Sequence, residues 1–162
     1  MVDISAAQKL SSPNPFALIT SKGERGTNIM ALSWWTYCCN HPATVAICIG
    51  KRSYSGRCID QTGQFCLCLP GADIAEAAFR CGTCSGVSCD KAATFGIGLS
   101  PAATVEPQYV TESRLVLECQ VKETLEVGDH NMFIAEVVDM HQNPDVTQLV
   151  ADGGYSKLIP AK

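Results

Sequence analysis

The feature that most constrains the fold is a long alternating segment in the second half of the chain. Between residues 114 and 125, apolar side chains alternate with polar neighbours, at Leu115, Leu117, Cys119 and Val121. This period of two is typical of a strand with one buried face. The sequence Glu-Val-Gly-Asp at residues 126–129 favours a turn, and residues 132–140 have the composition of a partner strand. The pattern therefore predicts a long antiparallel hairpin.

Further short elements precede this hairpin. Apolar and β-branched runs predict strands at residues 16–21, 27–35, 43–50 and 65–69, with a turn at residues 22–26. Ser53 predicts the N-cap of a helix that ends at Gly63, and Asp73 and Ser85 predict the starts of two more helices, the second carrying Lys91. Because hairpin-rich chains tend to close and remove their edges, we predict a mainly β fold, a six-stranded Greek-key barrel with short helical insertions.

Length and charge restrict the class of protein. A chain of 162 residues predicts a single domain over residues 1–162, large enough to bury its own core. A net charge of −4 gives no general attraction for nucleic acid or for an anionic membrane, so neither is expected as a partner. Residues 1–10 lack the basic start and apolar run of a signal peptide, and no segment reaches the ~18 apolar residues of a membrane span. We therefore expect a cytoplasmic protein.

The ten cysteines bear on the same question. In a reducing cytoplasm most of them are expected to be free thiols. Those within apolar strand patterns are expected to be small buried hydrophobic residues rather than ligands: Cys48, Cys66, Cys68 and Cys119. Cys81 and Cys84 form a CxxC pair, followed by Cys89, which leaves a metal site or a redox pair open. Because no second CxxC or histidine pair follows, we predict no metal site.

Two segments carry the residue types of a binding site. The strand at residues 27–35 brings an amide, a hydroxyl and indole rings toward one end, a lining that suits a flat heterocycle: Asn28, Met30, Ala31, Ser33 and Trp34. The alternative is that Asn28 only follows a turn and the tryptophans fill the core. Residues 51–55 place a cation and hydroxyls at a helix start, which favours an anion, at Arg52, Ser53, Tyr54 and Ser55. The alternative here is a solvated strand end.

Four segments in order resemble one known family. Residues 27–35, 51–70, 85–91 and 128–137 are similar, in sequence and spacing, to segments of the flavin reductase-like family, the FMN-binding split barrels that include the flavoredoxins. The resemblance implies a split β-barrel that binds FMN. It implies that Asn28 and its strand hold the isoalloxazine ring and that Ser53, Ser55 and Lys91 hold the phosphate. It also implies a homodimer with the site at the interface.

The resemblance places His130 near the reactive face of the flavin, whereas its other interpretation is an ordinary turn histidine. It implies an oxidoreductase that uses NADH or NADPH with free flavin or a redox protein, as a flavin reductase or flavoredoxin does. One alternative is a tightly bound FMN electron carrier that serves a protein partner without NAD(P)H activity. A third is a cysteine-based metal-binding module. Val87 stands where an arginine is frequent in the family, which leaves the electron donor open.

Overall fold

The computed structural model describes residues 2–161, and strands dominate it, with 49% strand and 19% helix. The strands are β1 Ala17–Gly23, β2 Gly26–Leu32, β3 Trp35–Asn40, β4 Ala43–Gly50, β5 Gln64–Pro70, β6 Leu99–Ser100, β7 Tyr109–Val110, β8 Ser113–Val127, β9 His130–Gln142, β10 Leu149–Asp152 and β11 Lys157–Pro160. The α-helices are α1 Ile4–Leu10, α2 Tyr54–Thr62, α3 Ala75–Arg80 and α4 Lys91–Phe95. The prediction of a mainly β fold is confirmed. No helix in the described part of the chain is long and apolar enough to cross a bilayer.

One large antiparallel sheet organises the molecule. Its strand order is β2-β1-β5-β8-β9-β4-β3, and the pairs β6-β7 and β10-β11 form two small sheets beside it. The long hairpin predicted from the alternating pattern is β8-β9, in register from Leu115 opposite Gln142 to Val127 opposite His130. The buried run at residues 65–69 is β5, which lies between β1 and β8 and is buried on both faces.

The sheet has seven strands rather than the predicted six, and the difference lies in the segment predicted as one strand at residues 27–35. That segment divides into the end of β2, the link Ser33-Trp34 and the start of β3. The amide of Cys48 donates to the carbonyl of Trp34 at 2.9 Å, so the link already lies against β4. Because β2 and β3 are the two edge strands and only two residues join them, the sheet must roll until its edges approach each other.

Rolling gives the sheet two buried faces. Inside lies a cluster of aliphatic and aromatic side chains that includes Ile19, Ile47, Phe65, Leu117 and Phe133. On the outer face a second cluster packs α3 and the segment after α4 against the central strands; its buried members include Leu18, Cys66, Cys68, Ala78 and Ile97. Cys119 belongs to the inner cluster, whereas Cys48 is only partly buried. Three of the four strand cysteines are therefore fully buried, as predicted, and the fourth is not.

The helix predictions succeed where the caps are local. Ser53 caps α2 by accepting a hydrogen bond from the Gly56 amide, and Gly63 ends the helix with φ of 66°. The helix predicted after Asp73 is present as α3, but Asp73 lies within a short 3-10 turn before it and does not cap it, so only the predicted cap is wrong. The predicted helix start at Ser85 is also wrong. Residues 85–88 form a turn, and α4 begins at Lys91 because the carboxylate of Asp90 accepts from the Ala93 amide.

A buried carboxylate holds the segment between β6 and β7 against β8. Glu118 is fully buried, and its oxygens accept from the Ala103 amide at 2.8 Å, from the Thr104 amide at 2.7 Å and from the Thr104 hydroxyl. His141 on β9 contacts the same carboxylate through Nε2. Burial alone would raise the pKa of Glu118, but the hydrogen bonds from His141, Thr104 and the backbone lower it to about 2. The carboxylate is therefore a charged anchor for this segment.

Candidate functional site

A continuous groove follows the second half of β2 and has two chemically distinct ends. At one end a cleft of about 370 Å³ is lined by the start of α2, by residues 81–86 and by Lys91. At the other end a cleft of about 230 Å³ is lined by Ser33, Trp34 and His130. We call these the hydroxyl cleft and the aromatic cleft. They are continuous because Met30, Ala31 and Gly82 line both.

The hydroxyl cleft is built on the N-terminus of α2. Ser53 is the N-cap, and its hydroxyl also lies 3.8 Å from the Met30 sulfur. Ser55 is buried in the first turn, while Arg52 is exposed at the rim. Free amides and the helix dipole at such a position attract an anion. Lys51 contributes nothing to the cleft, since its ammonium pairs with Glu126 at 2.9 Å.

Lys91 supplies the buried cation of the hydroxyl cleft. It is only 6% exposed, and its ammonium donates to the Cys81 carbonyl at 2.6 Å. Burial lowers its pKa, and the nearby thiols of Cys81, Cys84 and Cys89 oppose that effect. The ammonium has three protons and makes one hydrogen bond to the described residues, so it can donate to a further acceptor in the cleft.

The aromatic cleft is formed where β2, β4 and β9 meet. The Trp34 and His130 rings lie against each other with centroids 4.9 Å apart and a tilt of 32°. His130 Nδ1 lies 2.7 Å from the Asp129 carboxylate, and this hydrogen bond lowers the pKa of Asp129. The contact orients the imidazole and leaves Nε2 on the far side of the ring. A Cβ at Gly50 would lie 4.0 Å from Nε2, an ordinary van der Waals distance, so Gly50 borders this side of the imidazole.

One buried hydroxyl in the aromatic cleft has no partner. Ser33 Oγ is inaccessible to water and makes no hydrogen bond to any residue between 2 and 161. Buried polar groups normally find a partner, so this hydroxyl has hydrogen-bonding capacity left for a group that enters the cleft. The site residues that the sequence predicts on the second half of β2 and just beyond it therefore share one groove. They are Met30, Ala31, Ser33 and Trp34.

Asn28 is placed differently from the other predicted site residues. It is 8% exposed and lines a third cleft, of about 430 Å³, which shares Tyr54, Gly86 and Lys91 with the hydroxyl cleft. Its side-chain amide donates to the Ser55 hydroxyl at 2.7 Å. Gly86 packs so closely that a Cβ there would lie 1.9 Å from Asn28 Oδ1. Asn28 thus orients the Ser55 hydroxyl from the side of this third cleft, and Tyr54 lines both clefts.

Arg25 is a residue of this region that the sequence pattern did not reveal. Its guanidinium donates to the Gly86 carbonyl at 2.8 Å and to the Val87 carbonyl at 2.7 Å, and so fixes the segment that covers Asn28. These contacts join residues 61 and 62 positions apart in sequence. Within the β1-β2 turn, Arg25 has no local pattern that marks it.

The described cysteines near the groove do not bring three ligand atoms close enough together to hold a metal ion. Among the described residues, three ligand atoms within 4.8 Å of one another are provided by Glu118, Asp139 and His141, away from the groove. The Glu118 oxygens are already occupied by hydrogen bonds from the protein. The structure therefore gives no support to the cysteine-based metal module.

The fold and the groove together define a class of protein. A rolled antiparallel sheet that carries a groove with an anion-binding end and an aromatic end is a β-barrel suited to a phosphorylated heterocycle. Residues 10–158 match the family described as flavin reductase like domain, and the chain belongs to this family, as the resemblance predicted.

Individual relatives agree with this assignment. A protein of Archaeoglobus fulgidus, described as uncharacterized, is 27% identical over 121 residues, which cover 75% of this chain and 68% of the relative. The structure of the flavoredoxin of Desulfovibrio vulgaris (Miyazaki F) superposes with a TM-score of 0.85 at 25% identity, covering 94% of this chain and 88% of that one. The NADH:FAD oxidoreductase SgcE6 of Streptomyces globisporus shares the fold, with a TM-score of 0.87 at 19% identity over 100% and 97% of the two chains.

Proposed function

We propose that this chain is a single flavin reductase-like domain that binds FMN and works as an oxidoreductase. The observation that carries the proposal is the groove, whose hydroxyl cleft and aromatic cleft are joined along Met30 and Ala31. A mononucleotide with a dianionic phosphate at one end and a flat ring at the other has the matching chemistry. Family membership and the likeness to a flavoredoxin support the choice of a flavin.

The residues fit this cofactor at both ends. Ser53, Ser55 and Lys91 would hold the phosphate, with Arg52 and Tyr54 at the rim of the same cleft. The ring would lie along Met30, Ala31, Ser33 and Trp34, where the orphan Ser33 hydroxyl gains a partner. Asn28 would act on the phosphate indirectly, because its hydrogen bond fixes the orientation of the Ser55 hydroxyl.

Bound FMN would supply the hydride or electron transfer, and the protein positions the groups around it. His130 is held by Asp129 at Nδ1, so its second nitrogen can hold or deliver a proton at the open side of the groove. Trp34 packs against the imidazole and limits its movement. Together these residues would limit the access of water to a ring bound in the aromatic cleft.

We propose NADH or NADPH as electron donor and free flavin or a redox protein as acceptor. The fold shared with an NADH:FAD oxidoreductase supports this choice. The alternative, an FMN electron carrier for a protein partner, is favoured by Val87, which replaces an arginine frequent in the family. Anaerobic mixing of the oxidised holoprotein with NADH or NADPH separates them. Rapid bleaching of the flavin supports the reductase, and an unreduced flavin supports the carrier.

We also propose a homodimer. Apolar side chains stay exposed at the turn end of the β8-β9 hairpin, where Leu125 is 40% and Val127 is 52% exposed, and Tyr37 on the edge strand β3 is 62% exposed. Leu125 and Val127 are two residues apart on β8 and so lie on the same face of the strand, and exposed apolar surface is a common site of contact with a partner. The hairpin turn also carries His130, so a second chain seated there would border the groove.

The central test is the visible spectrum of the purified protein. We expect a yellow protein with one FMN per chain, and fluorescence titration of the apoprotein should show tighter binding of FMN than of riboflavin because the phosphate end is lost in riboflavin. A colourless protein that takes up neither FMN nor FAD would refute the proposal. Preferential uptake of FAD would support a flavin-binding protein but would replace FMN by FAD as the cofactor.

A further inference from the structure

Helix α1 lies beside the barrel without burying any of its side chains. Contacts just after the helix hold it in place. The Ser12 hydroxyl donates to the Asp152 carboxylate at 2.8 Å and accepts from the Gly153 amide at 2.7 Å, and the backbone of Asn14 pairs with that of Ala151. Because no side chain of α1 is buried, the face of the helix toward the barrel is still open to a ligand.

A pocket of about 460 Å³ lies between α1 and the barrel, and we call it the α1 pocket. The barrel side of the pocket includes Asn14 and Trp34. The indole of Trp34 is 37% exposed and Ile4 is 60% exposed, so neither apolar side chain is covered by the other. The helix contributes residues spaced i, i+3 and i+4, which share one face: Ile4, Ala7 and Gln8.

The α1 pocket adjoins the aromatic cleft. Gln8, Ser33 and Trp34 line both spaces. His130 packs on Trp34 in the aromatic cleft and does not line the α1 pocket. The two spaces are therefore neighbours that share the Trp34 indole.

The lining of the α1 pocket selects an uncharged ligand. No charged side chain is among the described residues that line it, so an ion would lose hydration there without gaining a counter-charge. An aromatic ring would gain contact with the exposed indole of Trp34. The volume of about 460 Å³ lies within the range of about 300 to 1,000 Å³ that is usual for small-molecule sites.

Asn14 adds a directional requirement. Its Nδ2 donates to the Ser11 carbonyl at 3.3 Å and to the Ser11 hydroxyl at 3.2 Å, which fixes the orientation of the amide. Its Oδ1 is buried and has no hydrogen-bond partner among residues 2–161. Because a carbonyl oxygen only accepts, a ligand that reaches this atom must carry a donor such as a phenolic hydroxyl.

We propose that the α1 pocket binds a small uncharged aromatic molecule that carries a hydrogen-bond donor. The ring packs on Trp34, and the donor pairs with Asn14 Oδ1. FMN bound in the aromatic cleft restrains the shared Trp34, so it tightens the binding of the aromatic molecule, and the aromatic molecule tightens the binding of FMN by the same factor. This coupling, unlike the site itself, rests on the proposed function.

Fluorine NMR with 4-fluorophenol as the probe measures the binding. We expect saturable binding with a dissociation constant of about 1 mM, as for other ligands of this size. Fluorobenzene, which lacks the donor, should bind about three- to tenfold more weakly, and the charged 4-fluorobenzoate should not bind. The indole N–H signal of Trp34, assigned with Trp34→Phe, should move on addition of 4-fluorophenol. The signal of Trp35, which lines neither space, should stay.

Ala7→Phe fills the α1 pocket from the helix and should weaken the binding of 4-fluorophenol at least about tenfold. Ala6→Phe is the matched control, since Ala6 is exposed on the same helix and does not line the pocket. Equal affinities in the two variants would overturn the proposal, as would a probe signal that never saturates. Binding that is lost as the protein concentration rises would also overturn it, because a second copy of the chain would then cover the pocket. The Trp34 signal of the unmodified chain decides the case if a variant fails to fold.

The coupling is tested by comparing the apoprotein with the protein loaded with FMN. We expect the affinity for 4-fluorophenol to be at least about fivefold higher with FMN bound, the lower end of the usual range for coupled sites. Equal affinities would refute the coupling. Saturable binding of 4-fluorophenol at Trp34 in a protein that takes up no flavin would refute the proposed function and leave the aromatic site standing.

Discussion

At the scale of single residues, the groove depends on a cation that is buried at a position where a charge is costly. Lys91 has lost most of its contact with water and donates to one carbonyl. An ammonium in this position is stabilised by an anionic partner, because charge pairing offsets the desolvation that lowers its pKa. The residue is therefore expected to matter for the phosphate and little for the ring.

Lys91→Ala should weaken FMN binding by about ten- to a hundredfold, because a hydrogen bond to a charged group contributes about 1.5 to 3 kcal/mol. Riboflavin binding should hardly change, since riboflavin lacks the phosphate. Fluorescence titration with both ligands measures the difference. Lys51→Ala, which removes a lysine paired with Glu126 outside the groove, is the matched control and should bind FMN normally. Equal weakening of both ligands would place Lys91 away from the phosphate.

His130→Ala should retain FMN and slow its reduction by a pyridine nucleotide by about a hundredfold, the lower end of the usual contribution of a general acid or base. The reason is that His130 faces the open side of the groove and makes its hydrogen bond to Asp129 rather than to the anion-binding end. Stopped-flow absorbance measures the rate. His41→Ala, in the exposed turn between β3 and β4, is the control. An unchanged rate would assign His130 to a turn role alone.

At the scale of elements, Glu118 joins the β6-β7 segment to the long hairpin. Its pKa of about 2 in the folded chain lies below the ordinary 4.5, so its contribution to stability is complete above pH ~4.5 and is lost as the pH falls toward 2. The buried carboxylate also has the backbone amides of Ala103 and Thr104 as partners. Acid should therefore loosen this segment before it disturbs the hairpin.

Glu118→Gln should lower the free energy of unfolding at neutral pH by about 3 kcal/mol, because charged hydrogen bonds are weakened inside the protein. It should also flatten the decline in stability between pH ~4.5 and 2. Urea unfolding at several pH values gives both quantities. Glu123→Gln changes an exposed glutamate on the same strand and should leave them nearly unchanged. A full acid transition in Glu118→Gln would mean that other groups cause it.

Among the helices and strands, local sequence predicts those whose determining residues lie close together in the chain. The caps of α2 were predicted because Ser53 and Gly63 act within their own helix turn, and β8-β9 was predicted because alternation and turn lie in one segment. The start of α4 was missed, since Ser85 and Asp90 are both good caps and local sequence does not choose between them. The location of Asn28 depends on Gly86, far away in the chain, and no local pattern contains that contact.

At the scale of the whole molecule, the exposed apolar side chains at the turn of the hairpin predict self-association. Sedimentation equilibrium should give twice the mass of one chain, and Val127→Lys should shift the protein toward single chains because a charge would be buried in the contact. Val87→Lys is a matched control, since Val87 is similarly exposed, at 55%, in a turn outside the β8-β9 hairpin. A single-chain mass for the unmodified protein at micromolar concentration would contradict the proposed homodimer.

The link Ser33-Trp34, which joins β2 to β3, has a consequence for how the barrel opens. In the described part of the chain β2 and β3 are the two edge strands of the sheet, and they share no ladder of hydrogen bonds although this link joins them. Local opening begins where backbone pairing is absent. A ligand that contacts both edges raises the free energy of opening as its free concentration exceeds its dissociation constant. Bound FMN would thus hold the two edge strands together. Amide hydrogen exchange in β2 and β3 should slow together when FMN is added, while the centre of β8-β9 exchanges at an unchanged rate.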